Sequence, residues 1–348
     1  MRVRTTLTFT MSLATSAIAG SVCVGQAAPA TTYHVTKKIA AAGEGGWDDL
    51  VTDTLSERLY VSRGTHVMVV DLVRDSVVGD IPNTAGVHSI AVAPALNRGF
   101  TSNGRDTSVT IFDLKTLAPI KVVKVTGRNP DAIVFDPSSG RVFTFNGGGA
   151  NATAIDAASG NVVGTIDLAG KPEFSVTDGK GTVYVNLEDK SEIVAFDARS
   201  LTVKATWPLA PCEEPSGLAI DRAHGRLFSA CSNKLMAVVD AATGRVITTL
   251  PIGQGVDGAG FDPARGLAFA SNGEGTLTVI HEDSPEKFTV LGNIPTQRGA
   301  RTMAMDAKTH CIYLSTAQFG PPPAPTPDRP NPRPPPIPGS FTILVVER

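Results

Sequence analysis

Residues 215–252, PSGLAIDRAHGRLFSACSNKLMAVVDAATGRVITTLPI, decide the fold. An apolar run at 217–220 meets a tight polar turn at 221–225. Strand-like runs follow at 226–230 and 236–240, then a turn at 241–244 and an outer run at 246–250. Short aliphatic and aromatic runs bounded by Asp, Gly and Asn predict four antiparallel strands with a turn after each.

The unit recurs along the chain. The Asp that closes its third strand has counterparts at Asp71, Asp113, Asp156, Asp197 and Asp240, spaced 42, 43, 41 and 43 residues apart. A second series at the end of the first strand runs Asp53, Ala93, Asp136, Asp178, Asp221, Asp262, Asp306. The two series share one period, and the second counts seven units. A period of about 40–45 residues with four strands is that of a β-propeller blade, and no 3.6-residue apolar period competes with it. The chain is therefore expected to be all-β, a seven-bladed β-propeller with four-stranded antiparallel blades.

The 348 residues, 42% of them hydrophobic, with 34 Gly and 25 Pro, suit one large, turn-rich propeller. An aromatic content of 6% argues against stacking platforms for single-stranded nucleic acid. Residues 1–30 carry Arg2 and Arg4, an Ala/Thr/Ser-rich apolar run and a small-residue zone ending QAAPA, the pattern of a secretory signal. Membrane anchoring or lipidation at Cys23 fits this segment less well, and no later stretch is long and apolar enough to span a bilayer. Residues 31–348 hold 29 basic and 33 acidic side chains, a net of −4 without a basic run, which disfavours nucleic acid as a partner.

Residues 302–305, 311–315 and 341–346 supply only three strands to the last blade. Residues 32–39, TYHVTKKI, alternate like a strand and precede the first blade. The N-terminal strand is expected to complete the last blade and close the ring, hiding the edges that a linear stack of sheets would expose. An aromatic recurs at the second position of the second strand, at Tyr60, Phe100, Phe143, Tyr184, Phe228, Phe269 and Tyr313, and reads as core. The Asp ending each third strand is expected to accept backbone N–H groups of its own turn.

The patterns R-x-[LV]-[YF]-V-x-[NS], V-x-V-[IV]-D and T-x-[NKR]-V-[IV]-x-[TS]-I resemble the YVTN-repeat, YncE-like family of exported bacterial propellers over residues 43–348. The resemblance implies the fold. Related propellers include the heavy chain of quinoprotein amine dehydrogenases, lactonase-like enzymes, surface-layer proteins and a DNA-binding member, so it leaves function open. His281 replaces the third-strand Asp of the sixth unit, and the seventh unit lacks that Asp.

Inner strands of a propeller begin at the face where the loops between second and third strands emerge. Counting five residues back from the second series places Asp48, His88, Asp131, Glu173, Ser216, Asp257 and Arg301 around one mouth of the channel. Asp49, Glu213 and Glu214, with loop residues Arg63, Arg105, Asn146, Asn186, Asn233 and Asn272, are expected nearby. Such a set could bind a ligand, hold a divalent metal or keep one carboxylate protonated for acid–base work; it could equally be a polar funnel that only caps strands. Contacts are expected only between adjacent blades, as for Asp131 with Glu173. No cofactor is evident: there is no H-x-x-x-H, G-x-S-x-G or C-x-x-C pattern.

Cys212 and Cys231 fall at one rim of the fifth unit and are expected to form a disulfide, with Cys311 a buried free thiol. Residues 320–339, GPPPAPTPDRPNPRPPPIPG, cannot pair as a strand because Pro lacks the amide donor; they read as an extended polyproline arm inserted in the last blade and emerging at the mouth. The arm is expected to be a lid or docking element for a partner, or a solvated spacer.

Together the residues read as a periplasmic or secreted scaffold that binds a small ligand or a periplasmic or cell-surface protein at an acidic mouth. The enzymatic alternatives are a metal-assisted hydrolase or lactonase, or a propeller subunit of a quinoprotein amine-type dehydrogenase; a structural role in the cell envelope is a third reading.

Overall fold

The computed structural model describes residues 32–41, 43–326 and 332–348, together with residues 1, 3 and 6. The expected signal at 1–30 and the centre of the proline-rich arm at 327–331 thus lie, almost entirely for the first, outside the described residues. Seven four-stranded antiparallel sheets form seven blades. In blade five the strands are Pro215–Asp221, Arg226–Cys231, Leu235–Asp240 and Val246–Pro251. Each is a little longer than the apolar run suggests, because flanking residues still pair: Pro215 lies opposite Cys231.

The ring closes as expected. Met303–Met305, Ile312–Thr316 and Thr342–Glu347 are joined by His34–Ala40, which pairs antiparallel with Thr342–Glu347 and sets Ile39 opposite Ile343. Ile39 is 2% exposed, and the ring of Tyr33 packs edge-on against Phe269 of blade six. Apolar burial therefore drives the closure along with the backbone ladder.

All seven second-strand aromatics are buried, and the core is a series of interfaces between neighbouring sheets. One such cluster joins Phe100 and Ile111 of blade two to Ile133, Val142 and Ile155 of blade three. The third-strand aspartates act within their turns: Asp71 accepts N–H bonds from Val73 and Arg74, and Asp240 from Ala242 and Thr243. Hydrogen bonding to the charged form, from Arg74 N–H first, holds Asp71 below the usual carboxylate range.

A belt of hydrogen bonds runs around the face opposite the mouth. Arg58, Arg98 and Arg141, each opening a second strand, donate to the carbonyls of Leu114, Ala157 and Ala198 of the next blade; Tyr184 does the same to Ala241. In blade six, where His281 stands in place of the turn Asp, the outer hairpin runs on through Thr276–Ser284 and Lys287–Pro295. Arg226 consequently reaches further, to the carbonyl of Pro285.

Cys212 and Cys231 form the expected disulfide, with Cα atoms 5.7 Å apart. The expectation for Cys311 needs correction: its thiol is free but only half-buried, just ahead of its strand, with Sγ 3.3 Å from Glu347 Oε1. No helix among the described residues is long and apolar enough to cross a membrane.

Candidate functional site

The inner strands do not start cleanly. Between Val87 and Ile90, Pro130 and Ile133, Pro172 and Ser175, Pro215 and Leu218, and Val256 and Gly258, the pairing with the second strand shifts register. Each irregularity contains one of the mouth residues, His88, Asp131, Glu173, Ser216 or Asp257. An irregularity of this kind locally frees a side chain from the strand's alternation and re-aims it, here toward the channel. Neighbouring blades fix the backbone at these points. Asn186 donates to the Ser216 carbonyl at 2.9 Å, Ser271 to that of Arg301 at 2.5 Å and Thr302 to that of Asp48 at 2.6 Å.

Asp48, His88, Asp131, Glu173, Ser216, Asp257 and Arg301 line a single cavity of about 740 Å³ to which all seven blades contribute, a size typical of small-molecule sites. Their contacts form a chain around the ring. His88 Nδ1 lies 2.7 Å from Asp48 Oδ2 and 3.6 Å from Asp131 Oδ1. Arg301 bridges Asp48 at 3.3 Å and Asp257 at 3.1 Å, and Ser216 Oγ donates to Asp257 Oδ1 at 2.6 Å. A Cβ at Gly104 would sit 2.7 Å from His88 Nε2, so glycine is what leaves room for the imidazole. Asp131 and Glu173 influence each other through space and form no ion pair; Glu173 is held by Lys171, 2.8 Å away, which also binds Glu188.

Burial and like charge load this rim. Desolvation raises Asp131 to about 6 against the pull of His88, and raises fully buried Asp49 to about 7 despite a hydrogen bond from Ser89. Desolvation also raises Asp257 against Arg301, and raises Glu173, which shares one ammonium with Glu188. The hydrogen bond to Asp48 raises His88 despite burial. Asp48 and Asp257 thus share Arg301, Glu173 and Glu188 share Lys171, and Asp48 and Asp131 flank the His88 imidazole. Asp48, His88 and Asp131 offer donor atoms that all lie within 4.8 Å of one another, which suits a divalent transition ion.

The structure also relocates several expected residues. Arg63 is 1% exposed; its Nη2 donates to the Gly43 and Glu44 carbonyls and its guanidinium lies over the Phe341 ring. Asn146 and Asn272 are buried and tie their own strand turns through Thr153 and Thr278. Glu214 lines the cavity, while Glu213, Arg105 and Asn233 do not. Lys171, Glu188, Trp47 and Arg298 line it without having been anticipated. Lys171 stands two residues before Glu173, and that i, i+2 spacing was its only signal.

The arm does return to the mouth. Phe319 bridges Pro336, Gly320 N–H donates to the Pro335 carbonyl, and Phe319, Arg333, Pro334 and Pro336 line the same cavity.

These features define a seven-bladed β-propeller with a polar, charge-dense channel mouth. No protein-family model matches the chain, and no curated protein matches it. Solved structures share the architecture. A chain of the Kuenenia stuttgartiensis hydrazine synthase is 15% identical with a TM-score of 0.69, over 81% of this chain and 95% of that one. A chain of the mitotic checkpoint complex is 14% identical with a TM-score of 0.71, over 88% and 95%. The RRP9 WD40 repeats are 8% identical with a TM-score of 0.72, over 92% and 99%. At such identities the likeness is one of fold.

Proposed function

We propose that this protein is an exported binding scaffold whose channel mouth takes a cationic group, either a small polyamine-like ligand or a basic side chain of an envelope or secreted partner protein. The observation that carries this reading is the excess of carboxylates lining the cavity, most of them half-buried, over the cations beside them: Asp48, Asp49, Asp131, Glu173, Glu188, Glu214 and Asp257 against Lys171, Arg298, Arg301 and Arg333. A positive group entering the cavity replaces lost hydration and relieves repulsion between Asp131, Glu173 and Asp257, an interaction strengthened by the partly dry site. The proline-rich arm at the opening, with Phe319 and Trp47, supplies a flank against which a protein partner can pack. The sequence of residues 1–30 and the Cys212–Cys231 disulfide support export, and the repeat patterns support a place among YVTN-type propellers. A propeller chain within the mitotic checkpoint complex shows that assemblies use this architecture, which fits a protein partner.

A metal-assisted hydrolase is the second reading, favoured by the convergence of Asp48, His88 and Asp131. Thermal unfolding with spermidine, L-argininamide or citrate tests the first. The two cations raise Tm and citrate does not, and Asp131→Asn with Glu173→Gln removes the rise. An equal response to citrate, or a rise that survives the double variant, overturns the reading. Metal analysis before and after chelation decides between scaffold and metalloenzyme.

A further inference from the structure

On the face opposite the mouth, we propose a second site: a divalent transition-metal site built from Asp221, His224 and Glu282 that staples blade five to blade six. Asp221 ends the inner strand that begins beside Ser216 at the mouth, roughly 20 Å away along a seven-residue strand, so the two sites are independent. The donor atoms of the three residues all lie within 4.8 Å of one another. His224 Nδ1 is 2.6 Å from Asp221 Oδ2 and 3.0 Å from Glu282 Oε1.

Glu282 is the residue the fold does not explain. Its N–H donates to the carbonyl of Gly266, the bond made by Leu72, Leu114, Ala157, Ala198 and Ala241 at the same point of blades one to five. Those five positions are apolar, as a site between sheets requires, whereas blade six places a carboxylate there. The residue is 9% exposed and neither of its carboxylate oxygens has a hydrogen-bond partner of sound geometry. A buried carboxylate with only a half-exposed imidazole beside it is costly to keep charged.

Hydrogen bonding alone does not balance the cluster. Asp221 already accepts the N–H groups of Ala223 and His224, and a single Nδ1–H cannot point along both carboxylate directions. Arg226 is committed to Asp240 and Glu286. A divalent ion bound to two carboxylates and a neutral imidazole is electroneutral, and this mixed N/O set suits Zn²⁺, Co²⁺ or Mn²⁺. Ligands of a tetrahedral ion with bonds of about 2.0–2.1 Å stand about 3.3 Å apart, so His224 must swing slightly outward. Its side chain, 52% exposed, is free to do so and leaves a position open to solvent.

The test is calorimetric titration of Zn²⁺ into the chelator-treated protein in a His88→Ala background, which disables the mouth cluster. Co²⁺ absorption reports the ligand geometry. Glu282→Ala installs the residue found at the equivalent position of blades three to five, and His224→Ser installs the one found in blades one and three. The proposal predicts about one Zn²⁺ per chain, a Co²⁺ spectrum of low coordination number, and binding weakened at least tenfold by either variant. It also predicts that Glu282→Ala raises the Tm of the metal-free protein. Affinity unchanged by both variants, no uptake of Zn²⁺, Co²⁺ or Mn²⁺ by the parent, or a lowered metal-free Tm in Glu282→Ala overturns it.

Discussion

His88 Nδ1 lies 2.7 Å from Asp48 Oδ2, joining blade two to blade one at the channel rim. The bond favours the imidazolium, and the rim aspartates Asp49 and Asp131 are held at about 7 and 6.

Each of these groups binds a proton more tightly in the folded chain than in the unfolded one. For Asp49 and Asp131 the resulting stabilisation is complete below their ordinary value of 3.8 and is lost as pH rises through 6 to 7. For His88 it is complete below 6.5 and lost through a higher folded value. All three act in one direction, so urea midpoints should fall between about pH 5 and about pH 8. Asp49→Asn should flatten the fall, by no more than about 4 kcal/mol. Turn aspartates such as Asp71 and Asp113, held low, keep their contribution across this window. A profile that rises with pH contradicts the burial argument.

Ring closure rests on the N-terminal strand. Ile39→Ala, at a position 2% exposed, should cost about 2–5 kcal/mol in chemical denaturation. Deleting residues 32–40 should expose the edge of Thr342–Glu347 and cause association, readable by light scattering. A monomeric deletion variant of unchanged stability would show that the blade closes without this strand.

The disulfide joins residues 19 apart in blade five. Replacing Cys212 and Cys231 together by Ala should cost about 3 kcal/mol on the chain-entropy argument, and wild-type protein in reductant should match the variant. Equal midpoints in oxidising and reducing buffer would show that the bond is not formed in solution.

The belt on the opposite face predicts a further cost. Arg141 donates to the carbonyls of Ala198 and Arg199 in the next blade, so Arg141→Ala should lose about 1–3 kcal/mol in urea. Arg141→Lys should recover only part of it, because one ammonium cannot reproduce the guanidinium fork. Full recovery would make the interaction one of charge alone.

The sequence declared most of this architecture because a period near 42 residues repeats both turn aspartates and the buried aromatic, from Tyr60 to Tyr313. Counting back from Asp53 and its counterparts found the rim residues, since strand lengths are nearly constant. The irregular pairing that aims His88, Asp131 and Glu173 inward was not legible: a bulge adds a residue without changing composition. Lys171 and Glu188 are not legible because their meeting depends on the short 3-10 turn Glu188–Lys190 between the second and third strands of blade four. Loop position alone points Arg63 and Asn146 to the mouth, whereas burial turns them inward.

Trp47 lines the cavity, and Trp207, in an outer strand of blade four, is the only other tryptophan. In Trp207→Phe protein, emission therefore reports on the mouth alone. Spermidine should shift it saturably, and Asp131→Asn with Glu173→Gln should weaken that response by about tenfold or more. An emission unmoved by spermidine, or moved equally in the double variant, would contradict a cation-binding mouth.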